Sequence, residues 1–251
     1  MKTKLLNIGI LAFSALQLVF YVIILGGFAD NKSVMTFLPV ITAFLFSVII
    51  LAKDKRSYFL AAALLFTVIS DTFLMLVRPL HQDIAMVTFS VAQLLHFARL
   101  FVDIRTKKEK IIQIAARFSL WVIVEIIAVI VTKGTFDIVV FLTVFYFVNL
   151  VMNFILSSRY YKNSILLAVG FALFIGCDLV VGFSMAAGVY LDIPQTSIFY
   201  KLVNPSFDFT SFFYVPSQAL IALSGIKFLK DGKSVFAVKN VCGPMGQNGE
   251  I

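Results

Sequence analysis

The chain is poor in the residues that build metal centres, disulfide scaffolds and solvated surfaces. Its two cysteines, Cys177 and Cys242, lie far apart with no CxxC pair. That spacing gives neither a disulfide framework nor a thiolate metal site, and Cys177 reads as a small apolar packing residue. The two histidines, His81 and His96, are too few for a centre that needs several imidazole ligands, so no metal and no other cofactor is expected. Charged residues make up only 14% of the 251 positions, against about 25% in soluble domains. Apolar residues are abundant instead, at 61%, with a mean hydropathy of +0.99. The net charge of +8 raises the question of nucleic acid. The basic residues, however, sit in short clusters between apolar runs, as topology signals do, and no nucleic-acid partner is expected.

A membrane-spanning helix takes about 20 mainly apolar residues. Eight stretches qualify, at roughly 5–28, 34–52, 57–77, 84–103, 111–132, 136–156, 164–187 and 209–230. The first begins with a basic segment like a signal peptide but is too long for a signal core of about 7–15 residues, so it is expected to remain as the first span. Lys and Arg alternate along the chain. The N-terminus and the second, fourth and sixth loops carry two to four each, and Lys227, Lys230, Lys233 and Lys239 follow the last span. The odd loops carry one each: Lys32, Arg78, Lys133 and Lys201. This pattern predicts an all-α, multi-pass bundle in the cell membrane, with both termini cytoplasmic. Residues 1–230 form the eight-helix domain, and 231–251 a polar, mobile cytoplasmic tail. A faint repeat runs through it. "LLFTVISDTFLM" in the third span resembles "FALFIGCDLVVG" in the seventh, and "FSVAQLLHF" in the fourth resembles "YVPSQALIAL" in the eighth.

Ionisable groups at membrane depth normally face the bundle interior and mark function. Asp71 lies 15 residues beyond Arg56, and Asp178 lies 16 beyond Lys162. At 1.5 Å per residue both sit about 22–24 Å from the cytoplasmic end, in the outer half. Gln93 and Gln218, about ten residues into descending helices, come within reach of that layer, and Glu125 shares its depth. Helical spacing groups Gln93, His96, Leu100 and Asp103 on one face. Ser211, Tyr214 and Gln218 form a second such stripe, and Tyr146, Asn149 and Asn153 a third. Asn149 and Asn153 read as interhelical glue, Arg99 and Asp103 as an ion pair at the cytoplasmic edge, and Glu125 as a partner for Arg117 or for an unidentified group. Two carboxylates at one depth with no cation beside them are poor glue. As a coupled pair they suit general acid–base chemistry.

Three motifs, in order, resemble those of the YhhN-type lysoplasmalogenase family: Ser70-Asp71 in "ISDTFLML", Phe174-Ile175-Gly176-Cys177-Asp178 for a Phe-x-x-Ser-Asp pattern, and Tyr214 to Leu220 in "YVPSQAL" for Tyr-x-x-Ala-Gln-x-Leu. The likeness runs from about the second span to the eighth. It implies eight helices and hydrolysis of the vinyl ether of a lysoplasmalogen. Asp71 and Asp178 would be the catalytic groups. Ser70, Gln93, His96, Tyr214 and Gln218 would orient substrate and water, and the substrate would be a lysophospholipid or other single-chain lipid taken from the membrane. One departure stands out. The family's Ala-His-Leu-Leu-Tyr stretch is "AQLLH" here, so its histidine falls on Gln93 and its tyrosine on His96. Glutamine cannot shuttle a proton as histidine does. The rival expectation is a non-catalytic relative that binds or carries lipid. A metal-assisted hydrolase, which needs more histidines, ranks third.

Overall fold

The computed structural model describes residues 2–28, 30–51, 55–132, 137–159, 161–189 and 207–226. The tail 231–251, the four lysines after the last span and most of the seventh loop lie outside the described residues.

Among the described residues eight α-helices form, close to the expected stretches: α1 Lys2–Leu25, α2 Lys32–Ile49, α3 Lys55–Asp71, α4 Gln82–Phe101, α5 Lys107–Val131, α6 Ile138–Arg159, α7 Tyr161–Val189 and α8 Phe209–Leu223. Seven are long and apolar enough to cross a membrane, and α8 is a shorter apolar helix. No strand occurs among the described residues. Apolar length sets the helices and side-chain oxygens set their starts. Asn31 accepts from the Val34 N–H at 3.2 Å, Thr106 from Glu109 at 3.2 Å and Asp208 from Ser211 at 3.1 Å, each satisfying an orphan N–H of a first turn. Asp208 also pairs with Lys32 at 2.9 Å, which joins the outer ends of α8 and α2. The hydrogen bonds from Ser211 and the Lys32 charge outweigh its partial burial and hold the Asp208 carboxyl below the usual carboxylate range.

Six helices close into a ring. In order round it, α2 packs on α3, α3 on α4, α4 on α6, α6 on α7, α7 on α8, and α8 back on α2. The triplets α2–α3–α4 and α6–α7–α8 therefore occupy equivalent halves, and the two helices carrying the repeated Asp motif, α3 and α7, take matching positions. Two helices stand outside. α1 leans on α2 and α8, and α5 packs on α6. Exposed Ile, Leu, Val and Phe side chains line both, as lipid-facing surface requires.

Prolines help dock α1. Pro216 has no N–H to give the Phe212 carbonyl one turn back, and that carbonyl accepts from the Tyr21 hydroxyl at 3.4 Å. The buried Gln17 amide donates to the Pro39 carbonyl at 3.0 Å.

Candidate active site

Asp71 is the last residue of α3, where the helix widens into a π-helical turn over Thr72–Leu76. Such turns are frequent at functional sites. It is only 1% exposed, so its carboxyl needs a protein partner. The Tyr214 hydroxyl of α8 donates to it. Asp178, on α7, is half-buried and accepts from the Tyr146 hydroxyl of α6.

Phe174, one turn before Asp178 on α7, packs between the pairs. Its ring lies 5.6 Å from Tyr214, 6.5 Å from Tyr146 and 6.0 Å from Phe89 of α4. Four ring helices thus supply two Asp–Tyr pairs around one aromatic ring. The arrangement holds two carboxyl groups, each with its own tyrosine donor.

The other expected site residues have different neighbours. Gln93, His96 and Gln218 are all buried, and none of them hydrogen-bonds either carboxylate among the described residues. Gln93 accepts from the Asn153 amide at 3.0 Å, and His96 packs edge-on to Phe171 with centroids 5.1 Å apart. Gln93 Nε2, His96 Nδ1 and Gln218 Oε1 lack hydrogen-bond partners among the described residues. Buried polar atoms are normally satisfied, by protein or by ordered water. Ser70 is placed as a clasp: its hydroxyl donates to the Ala85 carbonyl at 2.7 Å and ties α3 to α4.

Two expected pairings resolve differently. α4 ends at Phe101, so Asp103 leaves the helical face shared with Arg99. Asp103 pairs with Arg56 at 3.0 Å, while Arg99 reaches inward to the Ser224 hydroxyl and carbonyl at 2.9 and 3.2 Å. Arg117 takes neutral amides, donating to Asn149 Oδ1 at 3.1 Å and Asn153 Oδ1 at 2.9 Å. The two asparagines therefore do join helices, as glue. Tyr146 is the residue that the sequence reading left out of the site. Its stripe with Asn149 and Asn153 was the available signal.

Among the described residues each tyrosine supplies the one side-chain donor to its carboxyl group. Tyr214→Phe and Tyr146→Phe each leave a carboxyl group without that donor and are expected to cost about 1–3 kcal/mol. Thermal melts of the two purified variants check this, and an unchanged melting point in either would contradict it.

The fold and site define a polytopic helical membrane protein with a paired-carboxylate centre inside a six-helix ring. The family model described as the YhhN family matches residues 31–225, which takes in both aspartates and both tyrosines, and the chain belongs to that family. No curated protein and no solved structure matches the chain.

Proposed function

We propose that this protein is a membrane lysoplasmalogenase. It would hydrolyse the vinyl ether of a lysoplasmalogen to a fatty aldehyde and a glycerophospho-alcohol. Membership of the YhhN family supports the reaction class. The observation that carries the reading is the pair of Asp–Tyr contacts meeting at Phe174.

The chemistry needs two things. A proton must reach the outer alkene carbon, leaving an oxocarbenium ion at the carbon bonded to oxygen. Water must then add to that carbon and lose a proton. The resulting hemiacetal breaks its bond to the glycerol oxygen, which leaves as an alcohol with that proton, while the hemiacetal hydroxyl gives its own proton back to the carboxylate that supplied the first one as the aldehyde carbonyl forms. A protonated carboxyl group can deliver the first proton. An ionised one can stabilise the cation and take the proton from water. Asp71 and Asp178 supply both groups, and the tyrosine hydroxyls hold them in place. Gln93 stands where the family has histidine, so proton transfer in this chain rests with the carboxyl groups. Gln93, His96 and Gln218, with their free polar atoms, orient water and the substrate's oxygens. The substrate is a single-chain lipid drawn from the cell membrane, and no metal or cofactor takes part.

The test offers purified protein in detergent three lipids that share a chain and head group: a lysoplasmalogen, its saturated ether and its ester. Aldehyde from the first and no product from the other two is the expected result. Absence of aldehyde from folded protein overturns the reading and favours a lipid carrier.

A further inference from the structure

Outside the ring, α5 leans on α6 and leaves a lateral cleft of about 200 Å³ against α4. Leu94 and Phe97 of α4, Trp121 of α5 and Phe145 of α6 line its apolar walls, with Arg117 among them. Arg117 is 6% exposed. It lies 10 residues beyond Lys107 on α5, so about 15 Å along the helix axis from it. A cation at that depth is costly and marks a functional position.

Its partners orient it without neutralising it. Both terminal nitrogens go to amide and carbonyl oxygens of Asn149 and Asn153. The guanidinium carbon stands 3.8 Å from the Phe97 ring centroid. No carboxylate pairs with it among the described residues, and its Nε has no hydrogen-bond partner. A planar guanidinium with one buried, unpartnered donor among the described residues can still offer that N–H to a phosphate oxygen that enters the cleft, matching it in charge and geometry.

We infer that this cleft binds the phosphate head group of a single-chain phospholipid, with Arg117 taking the phosphate. The cleft is smaller than the roughly 300–1,000 Å³ of pockets that enclose a drug-sized ligand. It holds the head group and the first part of one chain. The rest of the chain leaves past Leu94 and Ile114, which face the lipid. The cleft also adjoins the ring interior. Asn153, which binds Arg117, donates to Gln93 at 3.0 Å across the α4–α6 seam. The inference rests on the proposed hydrolase only in taking that enzyme's substrate class as the natural occupant. The binding itself is measured without turnover.

Trp121 is the chain's single tryptophan and lines the cleft, so its fluorescence reports occupancy. The full-length protein in phosphatidylcholine nanodiscs is titrated with three lipids bearing the same brominated chain: an ester lysophosphatidylethanolamine, a monoacylglycerol and a two-chain phosphatidylethanolamine. The lysophospholipid is expected to quench Trp121 at about tenfold lower mole fraction than the other two, as a charge-assisted contact allows. Arg117→Gln is expected to abolish that preference. Ile114→Phe, at an exposed lip position, narrows the cleft without touching the buried network and is expected to weaken lysophospholipid quenching. Equal quenching by lysophospholipid and monoacylglycerol overturns the inference, as does a folded Arg117→Gln protein that keeps the preference. Quenching by the two-chain lipid equal to that by the lysophospholipid overturns the single-chain assignment. Because the ester lipid is not a vinyl ether, preserved quenching beside absent aldehyde release counts against the proposed reaction and leaves the cleft standing.

Discussion

Asp71→Asn and Asp178→Asn are each expected to lower aldehyde release by about 10²–10⁴-fold, the range for loss of a general acid or base. Asparagine matches aspartate in shape and can still accept from the tyrosine hydroxyl, so each variant should fold and bind lipid. It cannot deliver a proton to carbon or carry the negative charge that balances an oxocarbenium ion. The loss is therefore expected in kcat, with KM nearly unchanged. The two effects should not add, because acid and base serve one reaction sequence. The double variant is expected to be about as slow as the slower single one. Steady-state rates on a lysoplasmalogen check all three proteins. A single variant that retains full kcat would remove that carboxylate from the mechanism.

Gly170→Leu is expected to give the largest loss of stability. Gly170 lies on α7 where it meets α8, the contact that also sets Phe174 against Tyr214. A Cβ there would come within 2.8 Å of Ile221 Cγ1 and 3.2 Å of both the Ile221 nitrogen and the Ser217 carbonyl oxygen. Backbone atoms cannot rotate away, so the helices must part. Overpacking of this kind costs about 1–3 kcal/mol or more, well above the roughly 1 kcal/mol gained by removing a helical glycine. Gly182→Leu on the same helix is the control, since a Cβ there meets nothing within 4 Å. Gly182→Leu is expected to melt at or above wild type and Gly170→Leu several degrees below it. Equal melting points would mean that α7 and α8 are not held as closely as described.

The helices were legible because a bilayer imposes one length and one chemistry on every span. Hydropathy alone places all eight, with ends shifted by a few residues, and residues 227–230 of the last expected stretch lie outside the described residues. Asp71 and Asp178 stand out in the sequence for the same reason: a carboxylate in an apolar helix is costly to bury without a partner. Their partners do not. Tyr146 stands on the same helical stripe as Asn149 and Asn153, and spacing along one helix cannot say which neighbour each residue meets. The structure sends Tyr146 to Asp178 and the two asparagines to Arg117. Ser70 precedes Asp71 in the sequence, yet it turns to the Ala85 carbonyl, because adjacent helical residues point about 100° apart. Arg99 and Asp103 fit an i,i+4 pair only while the helix continues, and α4 ends at Phe101. Arg117 and Glu125 share a helix face, but packing of α5 on α6 gives the guanidinium to amides.

Solvent deuterium incorporation tests the proposed chemistry most directly. Purified wild-type protein is given a lysoplasmalogen in D₂O, and the aldehyde is reduced at once and weighed by mass spectrometry. Carbon protonation by a carboxyl group that exchanges with solvent predicts one deuterium at the carbon next to the aldehyde. Aldehyde without that deuterium would contradict proton delivery by Asp71 or Asp178, and no aldehyde from folded protein would contradict the hydrolase itself.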